Sequence, residues 1–400
     1  MIEDALDITA LAEIRSRTIA YLGIGAIVKV NDILENLKSR GISSILIVTG
    51  KSSYKSSGAW AHVEKALKNT GFTFAVYDGV TPNPEVDQVD AAVAAGKRIL
   101  AEAVMGIGGG SPIDAAKSAA ILLEYRNNSA RDLFEGRLVP QKAVPIIAIN
   151  LTHGTGTEVN RFAVVTVPEK NFKPPIAFDC IYPLYSIDDP ALMTGLSASQ
   201  TLFVSIDAMN HAIEAATTKV ANHYSICMAT EAVRLVAAYL PDALRDPLNL
   251  RARYFLTYAA LYAGIAFDNG LLHLTHALEH PLSGLKPQII HGHGLSLLLP
   301  SIIKHIYPEK SKILADVLSP IVPGLNGTAD EKDKAAAGVK DWLQKMGVTM
   351  GLRRAGFVDA DILTLTDLTS STLNLDLLLS LSPSDSGKSA VESIYRESMD

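Results

Sequence analysis

The strongest constraint in this sequence is a change of period part-way along it. Short β-branched runs occur at 19–22, 43–49, 73–77, 103–107 and 144–149, and helical patterns separate them. From 197 onward only helical patterns remain, over 197–216, 223–245, 249–268, 271–282, 294–305 and 328–346. Strands written as continuous apolar runs are buried on both faces, which predicts a parallel sheet wrapped by helices. In 84–100, Val86, Val89, Ala92 and Val93 share one helical face, with Pro84 placed in the first turn. Ser197 and Gln200 have the spacing of a capping box that opens the helical part. Between the two parts, YSIDDPAL (185–192) reads as a turn and a boundary. The chain is therefore expected to form an α/β unit over 1–190 and an all-helical unit over 191–400.

Composition narrows the function classes. Hydrophobic residues make up 48 % of the 400 and charged residues 20 %, a globular balance that excludes a disordered or fibrous chain. The net charge of −6 and the absence of a Lys/Arg run leave nothing to neutralise a nucleic acid or an anionic membrane. Two cysteines, Cys180 and Cys227, cannot build a disulfide framework or a cysteine-rich zinc module, and they suggest a reducing compartment. The start, MIEDALDITALAEIRSR, is acidic and lacks the pattern of a secretory leader, and no apolar run reaches membrane-spanning length. A cytoplasmic enzyme is the expectation.

Two constellations carry chemistry. In AVMGIGGGSPIDAAKSAA (103–120), Gly108, Gly109, Gly110 and Ser111 sit between a buried strand and a helix start. Free backbone N–H groups there attract an anion and glycines allow close approach, so a pyrophosphate is the expected guest. The pattern is not G-x-G-x-x-G and follows the fourth strand rather than the first. Asp114, one turn into the helix, is read either as a contact to nicotinamide or ribose or as a partner of the helix dipole. A second small-residue turn, THGTGTEV (152–159), either lines the same groove or is a plain loop.

The other constellation is acidic and imidazole-rich. Asp207 and His211 are four apart, as are His276 and His280, and His291 and His293 follow. Clustered Asp and His in an apolar helical region point to metal coordination or to paired hydrogen bonds. One carboxylate with three imidazoles suits Fe²⁺ or Zn²⁺.

These segments, taken in order, resemble the iron-containing (group III) alcohol dehydrogenases, relatives of glycerol dehydrogenase and dehydroquinate synthase. The resemblance rests on TPNPEVDQVDAAV (81–93), GIGGGSPIDAAKS (106–118), HGTGTEV (153–159), IDDPAL (187–192), DAMNHAIEA (207–215), HALEHPLSG (276–284) and HGHGLSLLLP (291–300). It implies a Rossmann-like dinucleotide-binding domain followed by an all-α, dehydroquinate synthase-like metal-binding domain. It places metal ligands on Asp207, His211, His276 and His291, the last preferred to His293 because it lies nine residues before Pro300. It also sets His280 near the reacting carbon. Cofactor contacts carry over to Gly108, Gly109, Gly110, Ser111, Asp114, Lys117, Thr152, Thr155 and Lys173, with Asn83 of the first motif.

Asn150-Leu151 departs from the usual Pro-Thr. After the second strand the chain reads Gly50-Lys51-Ser52 where relatives preferring NAD often carry an acid. Without a carboxylate for the ribose 2′-hydroxyl, Lys51 and Ser52 tip the balance to NADP(H), with NAD(H) the alternative. The implied activity is hydride transfer between NAD(P)(H) and a small alcohol, aldehyde or hydroxy acid, with Fe²⁺ or alternatively Zn²⁺, in a homodimer or larger homo-oligomer. Synthase-type or glycerol dehydrogenase-type chemistry is the alternative. Arg161 is read as a substrate carboxylate anchor, a phosphate contact or a surface ion pair, and Phe267 with 268–273 either as an apolar pocket wall or as core packing.

Overall fold

The computed structural model describes Thr9 and residues 11–400, so most of the acidic start discussed above lies outside the described residues. Among the described residues there are eight strands: β1 (Ile19–Leu22), β2 (Ser44–Gly50), β3 (Thr73–Val80), β4 (Ala103–Gly108), β5 (Ile146–Asn150), β6 (Phe162–Val164), β7 (Pro175–Ala177) and β8 (Tyr185–Asp188). Six form one sheet in the order β1-β8-β5-β4-β2-β3, every pairing parallel, while β6 and β7 make a separate antiparallel ribbon. Helices of ten residues or more are α1 (Val30–Ser39), α2 (Ala59–Thr70), α3 (Val86–Arg98), α4 (Gly110–Glu124), α5 (Ala198–Thr217), α6 (His223–Arg245), α7 (Leu250–Gly270), α8 (Leu274–Leu285), α9 (His291–Leu318), α10 (Lys332–Lys345), α11 (Asp361–Ser371) and α12 (Lys388–Glu397).

The two-residue period of a strand sorts the sheet's side chains onto two faces. Ile45, Ile47, Met105, Ile107, Ile147 and Ile149 pack against α1 and α2 through Ile33, Leu34, Leu37, Val63 and Leu67. Leu46, Val48, Val104 and Ile146 face the other way, against Val86, Val89 and Val93 of α3 and the alanine-rich face of α4. The chain runs from β2 outward to β3 and then returns to β4 on the other side of β2. The helices that follow β2 and β4 therefore lie on opposite faces, and a crevice opens beyond the carboxyl ends of these two strands. Gly50 ends β2 and Gly108 ends β4, so two segments far apart in sequence flank one opening.

Local expectations needed four adjustments. The 185–192 segment is not wholly a turn, because Tyr185–Asp188 is a strand between β1 and β5. Its polar residues hid it: Ser186 Oγ donates to Asp188 Oδ2 (2.9 Å) and Asn150 Nδ2 to Asp188 Oδ1 (3.0 Å), which makes burial of the carboxylate tolerable. Pro84 precedes its helix rather than opening it. Glu85 and Gln88 form the capping box, while the Pro84 carbonyl accepts from the Thr166 N–H at 2.7 Å. The Ser197 cap forms as expected, with the Gln200 N–H donating to Ser197 Oγ at 3.1 Å. α8 starts later than expected, after Leu271 takes a positive φ of 63°. α9 begins at His291 and continues beyond Pro308, with non-helical torsions at Lys310.

The helical part shares one apolar core, built from α5, α6, α7, α8 and α9 with the C-terminal helices. The loop after β5 is pressed onto it. Gly156 has φ +61°, and a Cβ there would stand 2.4 Å from Gly264 Cα of α7, so this backbone-on-backbone crossing requires glycine. Beside it His153 is fully buried. Arg253 Nη1 donates to its Nε2 (2.9 Å), and because a guanidinium only donates, the ring proton sits on Nδ1, facing Ser205 Oγ at 3.2 Å.

Burial, and then the Arg253 charge, push the His153 pKa down to about 3. Below about pH 6.5 the unfolded chain takes up a proton that the folded chain refuses, so this histidine makes stability fall as pH drops from 6.5 towards 3. His153→Gln should lower Tm at pH 7, and the gap to wild type should narrow on acidification to pH 4. A gap that stays constant across that range would show that His153 is not held neutral.

Candidate metal centre and nucleotide cleft

A cavity of about 1510 Å³ lies between the carboxyl edge of the sheet and helices α5, α8 and α9. Its sheet side is lined by Gly50, Lys51, Ser52, Asn83, Gly109, Gly110, Ser111, Asp114, Thr152 and Thr155, and its helical side by Asp207, His211, His276, His280 and His291. Lys173 also lines it. The glycine turn, the β2 end and the histidine-rich helices thus face a single space.

On the sheet side the N-terminus of α4 presents the backbone of Gly109 and Gly110 to the cavity. Gly108 does not reach the wall. Its φ of +155° and its close approach to the Pro112 ring make the turn itself. Asp114 lines the cavity, yet its Oδ1 accepts from Thr157 Oγ1 (2.7 Å) and its Oδ2 from the Val164 N–H (3.0 Å). Burial raises its carboxyl to about 6 against the pull of Lys117. Lys117 is fully buried and does not line the cavity: its Nζ donates to the carbonyls of Thr157 (2.6 Å), Asn160 (2.9 Å) and Phe162 (2.7 Å). That side chain fastens the 157–162 loop instead of holding a cofactor, and burial brings its ammonium down to about 8. Thr152, Thr155 and Thr157 all line the space, so the 152–159 turn is more than a connector. Asn150, at the departure from the family pattern, accepts the Thr152 N–H at 3.1 Å and sets that turn.

On the helical side Asp207, His276 and His291 offer ligand atoms within 4.8 Å of one another, with His211 beside Asp207. Asp207 Oδ1 stands 3.6 Å from His211 Nε2, 3.7 Å from His276 Nε2 and 3.8 Å from His291 Nε2. Donors around a four-coordinate ion bound at about 2.1 Å are about 3.4 Å apart, so each imidazole stands from Asp207 about as far as a neighbouring ligand would. Asp207 Oδ1 and His276 Nε2 are buried without a hydrogen-bond partner, as unsatisfied ligand atoms would be. Burial works against the Asp207 carboxylate, yet the histidines around it hold it well below its ordinary range. His293 is turned aside and stacks on Phe203 with ring centres 4.8 Å apart.

Two further carboxylates orient the rings. Glu214, one helical heptad after Asp207, contacts His276 Nδ1 and accepts the N–H groups of His273 (3.0 Å) and Thr275 (2.8 Å). Glu279 contacts His291 Nδ1. A carboxylate hydrogen-bonded to Nδ1, as Glu214 is to His276, fixes the proton there and leaves the Nε2 lone pair for the centre. His211 is oriented by stacking, with its ring centre 4.6 Å from Phe267 and 4.5 Å from His276. Sequence reading missed both glutamates. The signal available was a fully buried acid inside each histidine motif, in DAMNHAIEA and HALEH.

His280 is buried beside the cluster, 5.8 Å from His291 between ring centres, and its Nδ1 has no partner. Burial, and then Lys173 and the neighbouring imidazoles, keep it well below its ordinary pKa, so it is neutral at pH 7. Lys173 lies on the metal side of the cavity, 3.8 Å from Glu279 Oε2 and 3.5 Å from Ser283 Oγ, rather than beside the glycine turn. Arg161 is an ion-pair residue outside the cavity wall, 3.3 Å from Asp179 and 3.7 Å from Asp268, so it anchors no substrate in the cleft. Phe267, Leu271 and Leu272 do line the cavity, as the pocket-wall reading expected.

A parallel sheet with an anion-binding helix start at its switch point, opposite a buried carboxylate and three converging imidazoles, defines a metal-containing, dinucleotide-dependent oxidoreductase. Residues 18–190 match the family model for iron-containing alcohol dehydrogenase, and 201–399 match that for the C-terminal part of the same family. The chain belongs to the iron-containing alcohol dehydrogenase family. It is 56 % identical over 398 residues, with all of both chains covered, to the long-chain primary alcohol dehydrogenase AdhA of Thermoanaerobacter ethanolicus. Among solved structures it resembles an archaeal halo-thermophilic alcohol dehydrogenase from a Red Sea brine pool (TM-score 0.89, 27 % identity, 97 % of this chain and 100 % of that one). It likewise resembles the NADH-dependent butanol dehydrogenase A of Thermotoga maritima (TM-score 0.88, 27 % identity, 97 % and 98 % covered). These relationships give no support to the synthase-type alternative. Among the described residues no helix is long and apolar enough to cross a membrane.

Glu214→Gln and Glu279→Gln should each weaken iron binding about 10- to 100-fold, measured by metal titration of the purified protein. Unchanged affinity in both variants would remove the orienting role assigned to these acids.

Proposed function

We propose that this enzyme interconverts primary alcohols and aldehydes, long aliphatic ones included, with iron held by Asp207, His211, His276 and His291 and with NADP(H) favoured over NAD(H). The convergence of unsatisfied Asp207 Oδ1 and His276 Nε2 on the cleft that holds the glycine turn carries this reading. The long-chain substrate class is supported by the relative that shares 56 % of its residues with this chain. Preference for NADP(H) is supported by Lys51 and Ser52 at the end of β2, where no acid stands to oppose a 2′-phosphate. Zinc on the same ligands remains the alternative metal.

When bound, the metal supplies Lewis acidity to the substrate oxygen. The protein does the rest. The N–H groups at the start of α4 receive the pyrophosphate, while Asn83 and Lys173 line the route towards the histidine-rich side. Glu214 and Glu279 hold two imidazoles with Nε2 forward. His280, neutral and with Nδ1 free, can take the alcohol proton at that atom during oxidation and return it during reduction. The working division is a nucleotide unit over 1–190 and a metal unit over 191–400, in a cytoplasmic homodimer or larger homo-oligomer. Edge strand β1, with Ile19, Ile24 and Val28 exposed near it, offers a face for a second copy.

The test is metal analysis of the purified protein, followed by a panel of alcohols with NAD⁺ and NADP⁺. Replacing His276 and His291 together by Ala should abolish bound iron and turnover, and full activity in that metal-free variant would overturn the reading. Lys51→Asp should move the ratio of kcat/KM values towards NAD⁺ by roughly tenfold or more, the effect of exchanging an attractive for a repulsive contact to a phosphate. A ratio that does not move would assign the 2′-position elsewhere.

A further inference from the structure

The cleft is roomy for a single small ligand. Ligand pockets commonly measure about 300–1,000 Å³, and this one is about 1510 Å³. Part of its wall is an apolar mouth that stays exposed among the described residues. Val139, Leu373 and Leu377 all line the cavity, yet they are 64 %, 41 % and 55 % exposed. They stand on two segments that meet. A Cβ on Gly136 would lie 3.4 Å from Leu373 Cδ2, which brings the 133–139 loop against the segment that begins at Leu373. Asn374 Nδ2 donates to the Pro175 carbonyl at 2.8 Å, tying that segment to β7 of the ribbon.

This mouth is linked to the metal side through ring contacts and the ribbon. His211 stacks on Phe267, Phe267 packs on Phe162 with ring centres 5.4 Å apart, and Phe162 pairs across the ribbon with Ala177. Two residues further along the same pairing, Val164 faces Pro175, whose carbonyl holds Asn374. The phosphate-binding features lie elsewhere, on the ends of β2 and β4 and in the 152–157 turn. None of the three exposed side chains carries a hydrogen-bonding group, so the mouth suits a hydrocarbon and nothing charged.

We propose that Val139, Leu373 and Leu377 form the subsite for the alkyl tail of a long primary alcohol or aldehyde, and so set chain-length preference. This rests on the alcohol dehydrogenase reading of the same site. Tail burial is shared by ground state and transition state, so it should appear in KM more than in kcat. Each added methylene that leaves water should raise kcat/KM about fourfold until the subsite is full.

The experiment measures kcat and KM for the straight-chain primary alcohols from propanol to decanol with the metal-loaded enzyme, in wild type, Val139→Asn and Leu377→Asn. Leu363→Asn serves as a control at an exposed leucine outside the cleft. The expected result is a rising wild-type series carried by KM. The octanol-to-propanol ratio of kcat/KM should fall tenfold or more in the two cleft variants and stay at the wild-type value in the control. In parallel, 1-octanol should displace the fluorescent probe anilinonaphthalenesulfonate from metal-free wild type, and less well from Leu377→Asn.

A flat wild-type series with active short alcohols would overturn the subsite while leaving the dehydrogenase reading intact. So would an octanol-to-propanol ratio unaltered in both cleft variants. Absence of turnover with every alcohol and both cofactors would instead sink the dehydrogenase reading, and probe displacement then decides whether the apolar mouth still binds a chain. Failure of octanol to displace the probe from wild type overturns the subsite in either case.

Discussion

The structure depends on one arrangement that would be unfavourable without an ion, a buried carboxylate beside two buried imidazoles and a third, half-buried one. Removing such groups from water costs several kcal/mol each unless partners replace the lost hydration. Here the partners on the outer side are Glu214 and Glu279, which take up the Nδ1 positions of His276 and His291. On the inner side Asp207 Oδ1 and His276 Nε2 have no hydrogen-bond partner. Helices α5, α8 and α9 must therefore meet with their histidine-bearing turns in register, and the apolar core they share with α6 and α7 holds them there.

The same requirement shapes the junction between sheet and helices. A metal site is useful for hydride transfer only if the nucleotide crevice faces it. That alignment is enforced by close contacts rather than by a long linker. Gly156 crosses Gly264 at backbone distance, His153 is clamped between Ser205 and Arg253, and Asn83 Nδ2 reaches the Pro287 carbonyl at 3.1 Å. Ser205 lies two residues before Asp207 on α5, so the turn carrying Thr152 and Thr155 is anchored next to a candidate ligand. The buried Lys117 completes the anchoring from below by gathering three carbonyls of the loop that leads into the ribbon.

How much of this could be read from sequence follows from how local each signal is. Five of the six sheet strands were legible because apolar runs between helical patterns need no tertiary information. The sixth, Tyr185–Asp188, was not, since Ser186 and Asp188 are tolerated inside only because Asn150 and their own hydrogen bond satisfy them. The Asp207/His211 and His276/His280 pairs were visible as helical spacing. Which partners orient them was not, because Glu279 serves His291 across two helices. Lys117 and Arg161 show the opposite failure. Both are cations near functional motifs, but Lys117 lies beneath the cleft and Arg161 outside its wall. Only the fold shows that one gathers carbonyls and the other pairs with Asp179 and Asp268.

By itself the sequence determined the parallel sheet, the helical second half, the anion-binding turn and the residue types able to hold a metal, because each is written in spacing over a few residues. It also limited the metal's ligands to oxygen and imidazole, since neither cysteine lies in the motifs. Tertiary structure decided what those pieces do together. The return of β4 beside β2 brought Gly50 to the same crevice as Gly109 and Gly110, and helix packing brought His291 within reach of Asp207 across more than eighty residues of chain. It also left Val139, Leu373 and Leu377 facing into the cleft. Strand order, helix packing and the facing of side chains across a cavity are set by burial of the whole chain, and no local period records them.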